Sequence, residues 1–203
     1  MSRFCLKTGD LILFDYGGWG IFGFFSYLIK YFTNSQFSHI GMVLKDPDFL
    51  NCNLKGYYIW ESSWEGTPDS QDGKVKLGVQ ITPFEETYNL YKKNNSHIFV
   101  RRLESGAELF TNSKLTEIHN IVYNKPYDLV PADWWNAFNR VDSNPQKTSR
   151  FWCSALIGYI YTTCGLLKGD TDWSNLRPSD FSSKHKNVLK FDKGSLSKRQ
   201  EEI

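Results

Sequence analysis

The run SRFWCSALIGYIYTTCG (149–165) sets the strongest constraint in the sequence. Cys153, Ile157, Ile160 and Cys164 recur at i, i+4, i+7 and i+11, one face of an α-helix. Thr148 or Ser149 can cap its start, and Gly165 suits the position just past its last turn. An apolar face of this length requires a packing partner.

Upstream of this helix the chain reads as short extended runs separated by turn chemistry. DLILFD (10–15), FSHIGMVL (37–44), YYIWESSW (57–64) and HIFVRRL (97–103) have strand composition, and GVQITPF adds a brief extended piece. The second and third runs are expected to pair antiparallel. EETYNLYKK, KLTEIHNIVYNK (114–125) and ADWWNAF (132–138) read as helices. So does the aromatic stretch GGWGIFGFFSYLIKYF (17–32), which is apolar on both sides and too short and interrupted for a confident membrane span. With 40% hydrophobic and 16% aromatic residues and no linker or repeat, residues 1–190 are read as one domain, and the polar end 191–203 as a loosely ordered tail.

Charge excludes one large class of function. Lys and Arg number 24 against 22 Asp and Glu, leaving no excess of positive charge to meet a phosphate backbone, so nucleic acid is not the expected partner. The opening MSRFCLKTGD has neither the basic start nor the apolar run of a secretory signal, and a reducing, cytoplasmic setting is expected. The four cysteines (5, 52, 153, 164) and four histidines (39, 97, 119, 185) lack metal-ligand spacing. Neither a metal nor a cofactor is expected, and the Gly-x-Ser-x-Gly, Walker and dinucleotide signatures are missing.

Three residues remain that could carry chemistry. In FSHIGMVL, residues 37, 39, 41 and 43 share a face, so His39 stands where an apolar side chain would be ordinary, with Gly41 beside it leaving space next to the imidazole. In the following run Glu61 lies among apolar and aromatic neighbours and needs a partner. If the strands pair with that face toward His39, Glu61 can orient the imidazole and stabilise its protonated form. Cys153 falls in the first turn of the 149–165 helix, where unsatisfied amides favour the thiolate and can hold an oxyanion.

In order, TGDLILF, FSHIGMVL, IWESSW, HIFVRRL, KPYDLV and FWCSALIGYIY resemble the circularly permuted branch of the NlpC-type papain-like thiol hydrolases, from about Thr8 to about Phe181. That branch includes YiiX-like bacterial proteins, a poxvirus protein group and, distantly, the lecithin retinol acyltransferases. It places the histidine and its acidic partner before the cysteine, as here. The resemblance implies an α+β papain-like fold, a small antiparallel sheet packed against helices. It implies Cys153 as nucleophile, His39 as general base and acid, Glu61 as orienting residue and Tyr127 as an oxyanion aid. Trp152, directly before the cysteine, would shape the substrate cleft, and Phe24 and Phe25 of the aromatic stretch would suit an acyl-chain wall. The expected function is cysteine-dependent hydrolysis or acyl transfer on an amide or ester, with a lipid slightly preferred over a peptide. The alternative is a non-catalytic lipid-binding or virion-associated module of the same fold, and in either case the aromatic stretch could touch a membrane surface.

Overall fold

The computed structural model describes residues 4–18, 23, 26–27, 30–31, 35–63, 66–128, 147–185 and 188–203. Six antiparallel strands form the main sheet: β1 (Leu11–Asp15), β2 (His39–Lys45), β3 (Tyr57–Ser63), β4 (Gly78–Pro83), β5 (His97–Arg101) and β8 (Glu201–Glu202), in the order β4-β3-β2-β1-β5-β8. A two-stranded ribbon pairs β6 (Leu103–Ser105) with β7 (Ser195–Leu196). Three α-helices are described along their whole length: α1 (Phe84–Lys93), α2 (Asn112–Val122) and α3 (Cys153–Cys164). The architecture is α+β with an antiparallel sheet.

The strands read as nearly continuous apolar runs because both faces of the sheet are covered. Leu11, Leu13, Ile40, Met42, Leu44, Trp60, Val79 and Ile81 line one face and share a core with α2 and α3. Ile12, Phe14, Val43, Ile59, Ile98 and Val100 line the other and pack on Phe84, Tyr88 and Tyr91 of α1. The register follows from this alternation: Met42 lies opposite Trp60, and Phe14 opposite His39.

Four expectations are corrected. The 149–165 helix begins at Cys153, with Trp152 in the N-cap position, because Phe151 is held extended against Pro126–Tyr127. Gly165 ends it as expected, at φ 86°. HIFVRRL is two strands: the buried Asp10 carboxylate takes the Leu103 amide at 2.9 Å, and the chain turns into the ribbon there. Residues 195–203, expected to be loose, complete both sheets, with Leu196 buried and the Ile203 amide on the Ile98 carbonyl. Arg101 explains why: buried with no carboxylate partner among the described residues, it donates to the carbonyls of Phe181, Ser182 and Ser197. The fourth concerns Gly41. A Cβ there would come within 2.3 Å of Ile59 Cγ2, so Ile59 occupies the space expected beside the imidazole.

In the aromatic stretch, Gly23, Ser26, Tyr27, Lys30 and Tyr31 are helical, and Lys30 anchors them to Asp15 and to the Tyr16 carbonyl. Phe24, Phe25 and the run 132–138 lie outside the described residues. Among the described residues no helix is long and apolar enough to cross a membrane.

Candidate active site

His39 begins β2, and its side chain lies on the face that α1 covers. Its ring sits 5.3 Å from that of Phe14 and nearly parallel to that of Tyr91, at 15° and 6.3 Å. Glu61, on the same face of β3, brings Oε2 to 2.7 Å from His39 Nε2. Both are buried, the glutamate to 1% exposure, so the pair is shielded from water and from salt. The expected partnership of these two residues is therefore present.

Two hydroxyls that strand periodicity alone did not single out complete the pair. Thr82 Oγ1 donates to Glu61 Oε1 at 2.7 Å, and Thr87 Oγ1, from α1, donates to Thr82 Oγ1 at 3.1 Å. The legible signal was the alternation in VQIT, which puts Gln80 and Thr82 on one face. Reading it required the β3–β4 register, in which Gln80 opposes Glu61 and Thr82 opposes Ile59.

Cys153 is the first helical residue of α3, 3% exposed. With no side-chain cap at Trp152, the amides of the first turn have no intrahelical partner. The helix packs on β2 and β3. Its start is fastened to the sheet end where His39 and Glu61 lie: Ser62 Oγ donates to the Phe151 carbonyl at 2.7 Å. Pro126 bridges Gly78, and Tyr127 bridges Phe151 in parallel. Gly78 permits this approach, since at φ 149° a Cβ would meet the Lys125 carbonyl at 2.2 Å. Tyr127 is thus buried beside the residue two positions ahead of Cys153. The indole of Trp152 points elsewhere, donating to the Leu176 carbonyl at 3.3 Å, which Ser154 Oγ also reaches at 2.6 Å. Burial pushes the thiol of the second cysteine of α3, Cys164, up to about 12.

A second polar cluster lies on the opposite face of the sheet. Lys76 binds Asp69 at 2.7 Å and Asp72 at 3.1 Å, above the Tyr123 ring. Burial opposes the Lys76 charge, but the hydrogen bonds to both carboxylates outweigh it and hold the ammonium above its ordinary value. His119 Nε2 lies 2.6 Å from Gln71 Oε1, and burial among Phe49, Trp60 and Tyr123 lowers its proton affinity.

The antiparallel sheet, with the helix that starts at Cys153 packed on it and the buried His39–Glu61 pair within it, is an α+β fold. A solved structure described as metalloprotein YiiX from Escherichia coli O157:H7 has a similar fold. It superposes with a TM-score of 0.51 at 18% identity, over 98% of this chain and 96% of its own, and the chain has a YiiX-like fold. The sequence matches no family profile and no curated protein.

Proposed function

We propose that the chain is a cysteine-dependent hydrolase or acyltransferase of the circularly permuted papain-like kind, acting on an amide or ester. The observation that carries this reading is the buried His39–Glu61 pair at the sheet end to which the start of the Cys153 helix is fastened. Glu61 holds Nε2, and Nδ1 takes the proton of Cys153 Sγ. The thiolate attacks the substrate carbonyl, and the amides of the first turn of α3 stabilise the resulting oxyanion, with Tyr127 assisting. His39 returns the proton to the leaving amine or alcohol as the tetrahedral intermediate collapses to a thioester. Water, or an acceptor hydroxyl or amine, then gives up a proton to His39 and releases the acyl group.

An acyl lipid is preferred over a peptide as substrate. Tyr27 and Tyr31 stand one helical turn apart with rings stacked, 62% and 68% exposed, an arrangement suited to a lipid–water interface. The YiiX structure is described as a metalloprotein. Among the described residues here, no three His, Cys, Asp or Glu side chains gather as metal ligands. The chemistry proposed runs through Cys153 and His39.

The test is iodoacetamide alkylation of each cysteine against pH, read by peptide mass spectrometry, in the parent and in His39→Ala. Selective labelling of Cys153 well below pH 8, lost in the variant, supports the reading. Labelling of Cys153 no faster than Cys5 or Cys52, or indifferent to His39, would replace it with a non-catalytic lipid-binding or particle-associated module.

A further inference from the structure

We infer that Thr82 and Thr87 are positioning residues that fix which nitrogen of His39 carries the proton, an inference that rests on the catalytic reading above. A hydroxyl donates one hydrogen bond. Thr87 Oγ1 donates to Thr82 Oγ1 at 3.1 Å, so the single proton of Thr82 is committed to Glu61 Oε1, 2.7 Å away. Oε1 therefore accepts. Oε2 faces His39 Nε2 at 2.7 Å. When Glu61 is a carboxylate it accepts at both oxygens, so Nε2 supplies the hydrogen and in the neutral ring Nδ1 is the basic nitrogen. Every residue of this relay behind the imidazole is buried, Glu61 to 1%, Thr82 to 0% and Thr87 to 2% exposure, which keeps water from supplying an alternative donor to Oε1.

Without Thr82, Oε1 becomes a buried oxygen with no donor, and the carboxyl can meet that deficit by taking up a proton itself. A protonated Glu61 would donate to Nε2, move the ring hydrogen to Nδ1 and abolish the base. Two threonines, one at the end of β4 and one on α1, thus hold the pair in the tautomer that can accept a thiol proton. Helix α1 presents Tyr91 one turn beyond Thr87, against Phe14 at 4.1 Å, so the same helix also walls in the ring.

The experiment compares the parent with Thr82→Val, Thr87→Val and Thr82→Ser. One readout is the ring-nitrogen NMR shifts of His39 at neutral pH, the other the pH profile of Cys153 alkylation. Thr82→Val is expected to move a large fraction of His39 to the Nδ1–H tautomer and slow alkylation at least tenfold. Thr87→Val should do so to a smaller extent, and Thr82→Ser, which keeps the donor, should restore the parent tautomer. An unchanged tautomer in Thr82→Val, or an equal change in the valine and serine variants, would overturn the inference. The NMR readout needs neither substrate nor a reactive thiol. A parent with an Nε2–H imidazole but an unreactive Cys153 therefore sinks the catalytic reading while leaving this one standing.

Discussion

Ser62 Oγ donates to the Phe151 carbonyl at 2.7 Å, joining the last turn-ward residues of β3 to the segment that delivers Cys153. Ser62 is the neighbour of Glu61 in sequence but lies on the opposite face of the sheet, so one strand holds the carboxylate with one side and the approach to the nucleophile with the other. Ser62→Ala removes a donor from a buried carbonyl that keeps only the Asp128 amide at 3.2 Å. The expected cost is about 1 kcal/mol in urea unfolding, with Cys153 alkylation slowed severalfold.

Glu61→Gln keeps the shape of the side chain and removes its charge. The glutamine can still bond Nε2, but it cannot stabilise an imidazolium. Turnover of an acyl substrate, once found, should fall by about two orders of magnitude or more with KM little changed. An unaffected rate would remove Glu61 from the proposed machinery.

Gly41→Ala tests how tightly the sheet is filled beside the pair. Its Cβ would lie 2.3 Å from Ile59 Cγ2 and 3.4 Å from Glu61 Cβ, and Ile59 is fully buried. Overpacking should destabilise the protein by about 2 kcal/mol, measured by chemical denaturation, and displace Glu61 from His39.

His119 should make stability depend on pH. Burial lowers its folded-state proton affinity below the ordinary value of 6.5; Asp69 opposes that shift and Lys76 reinforces it. A depressed histidine is protonated more readily in the unfolded chain. Its contribution is therefore complete above pH 6.5 and lost as the pH falls from there through the lower folded value. The urea midpoint should drop over that window in the parent and less so in His119→Gln.

Arg101→Ala leaves the buried carbonyls of Phe181 and Ser182 and the half-buried carbonyl of Ser197 without this donor. A loss of about 2 kcal/mol is expected, together with faster amide hydrogen exchange in residues 195–203 than in β2 and β3.

Local pattern was enough to read most elements. The alternation in β2 and β3, the helical repeat of α3 and the terminating Gly165 are properties of neighbouring residues, and they place His39, Glu61 and Cys153 on their elements. Where elements begin was less legible, because Phe151 is drawn out of the helix by Tyr127 and Ser62, which are distant in sequence. The tail failed as a reading for the same reason: its polar composition suits a loose end, yet carbonyls of the 181–197 region satisfy the buried Arg101.

Residue types, their order and the strand face on which His39 and Glu61 lie were legible along the chain, since side-chain periodicity is a local consequence of backbone geometry. That Glu61 bonds Nε2, that Thr82 and Thr87 stand behind it, and that Ile59 fills the room beside Gly41 emerged only from the folded chain. Those facts depend on strand register and on which helix covers which face. Both are fixed by burying the two apolar sides of one sheet at once.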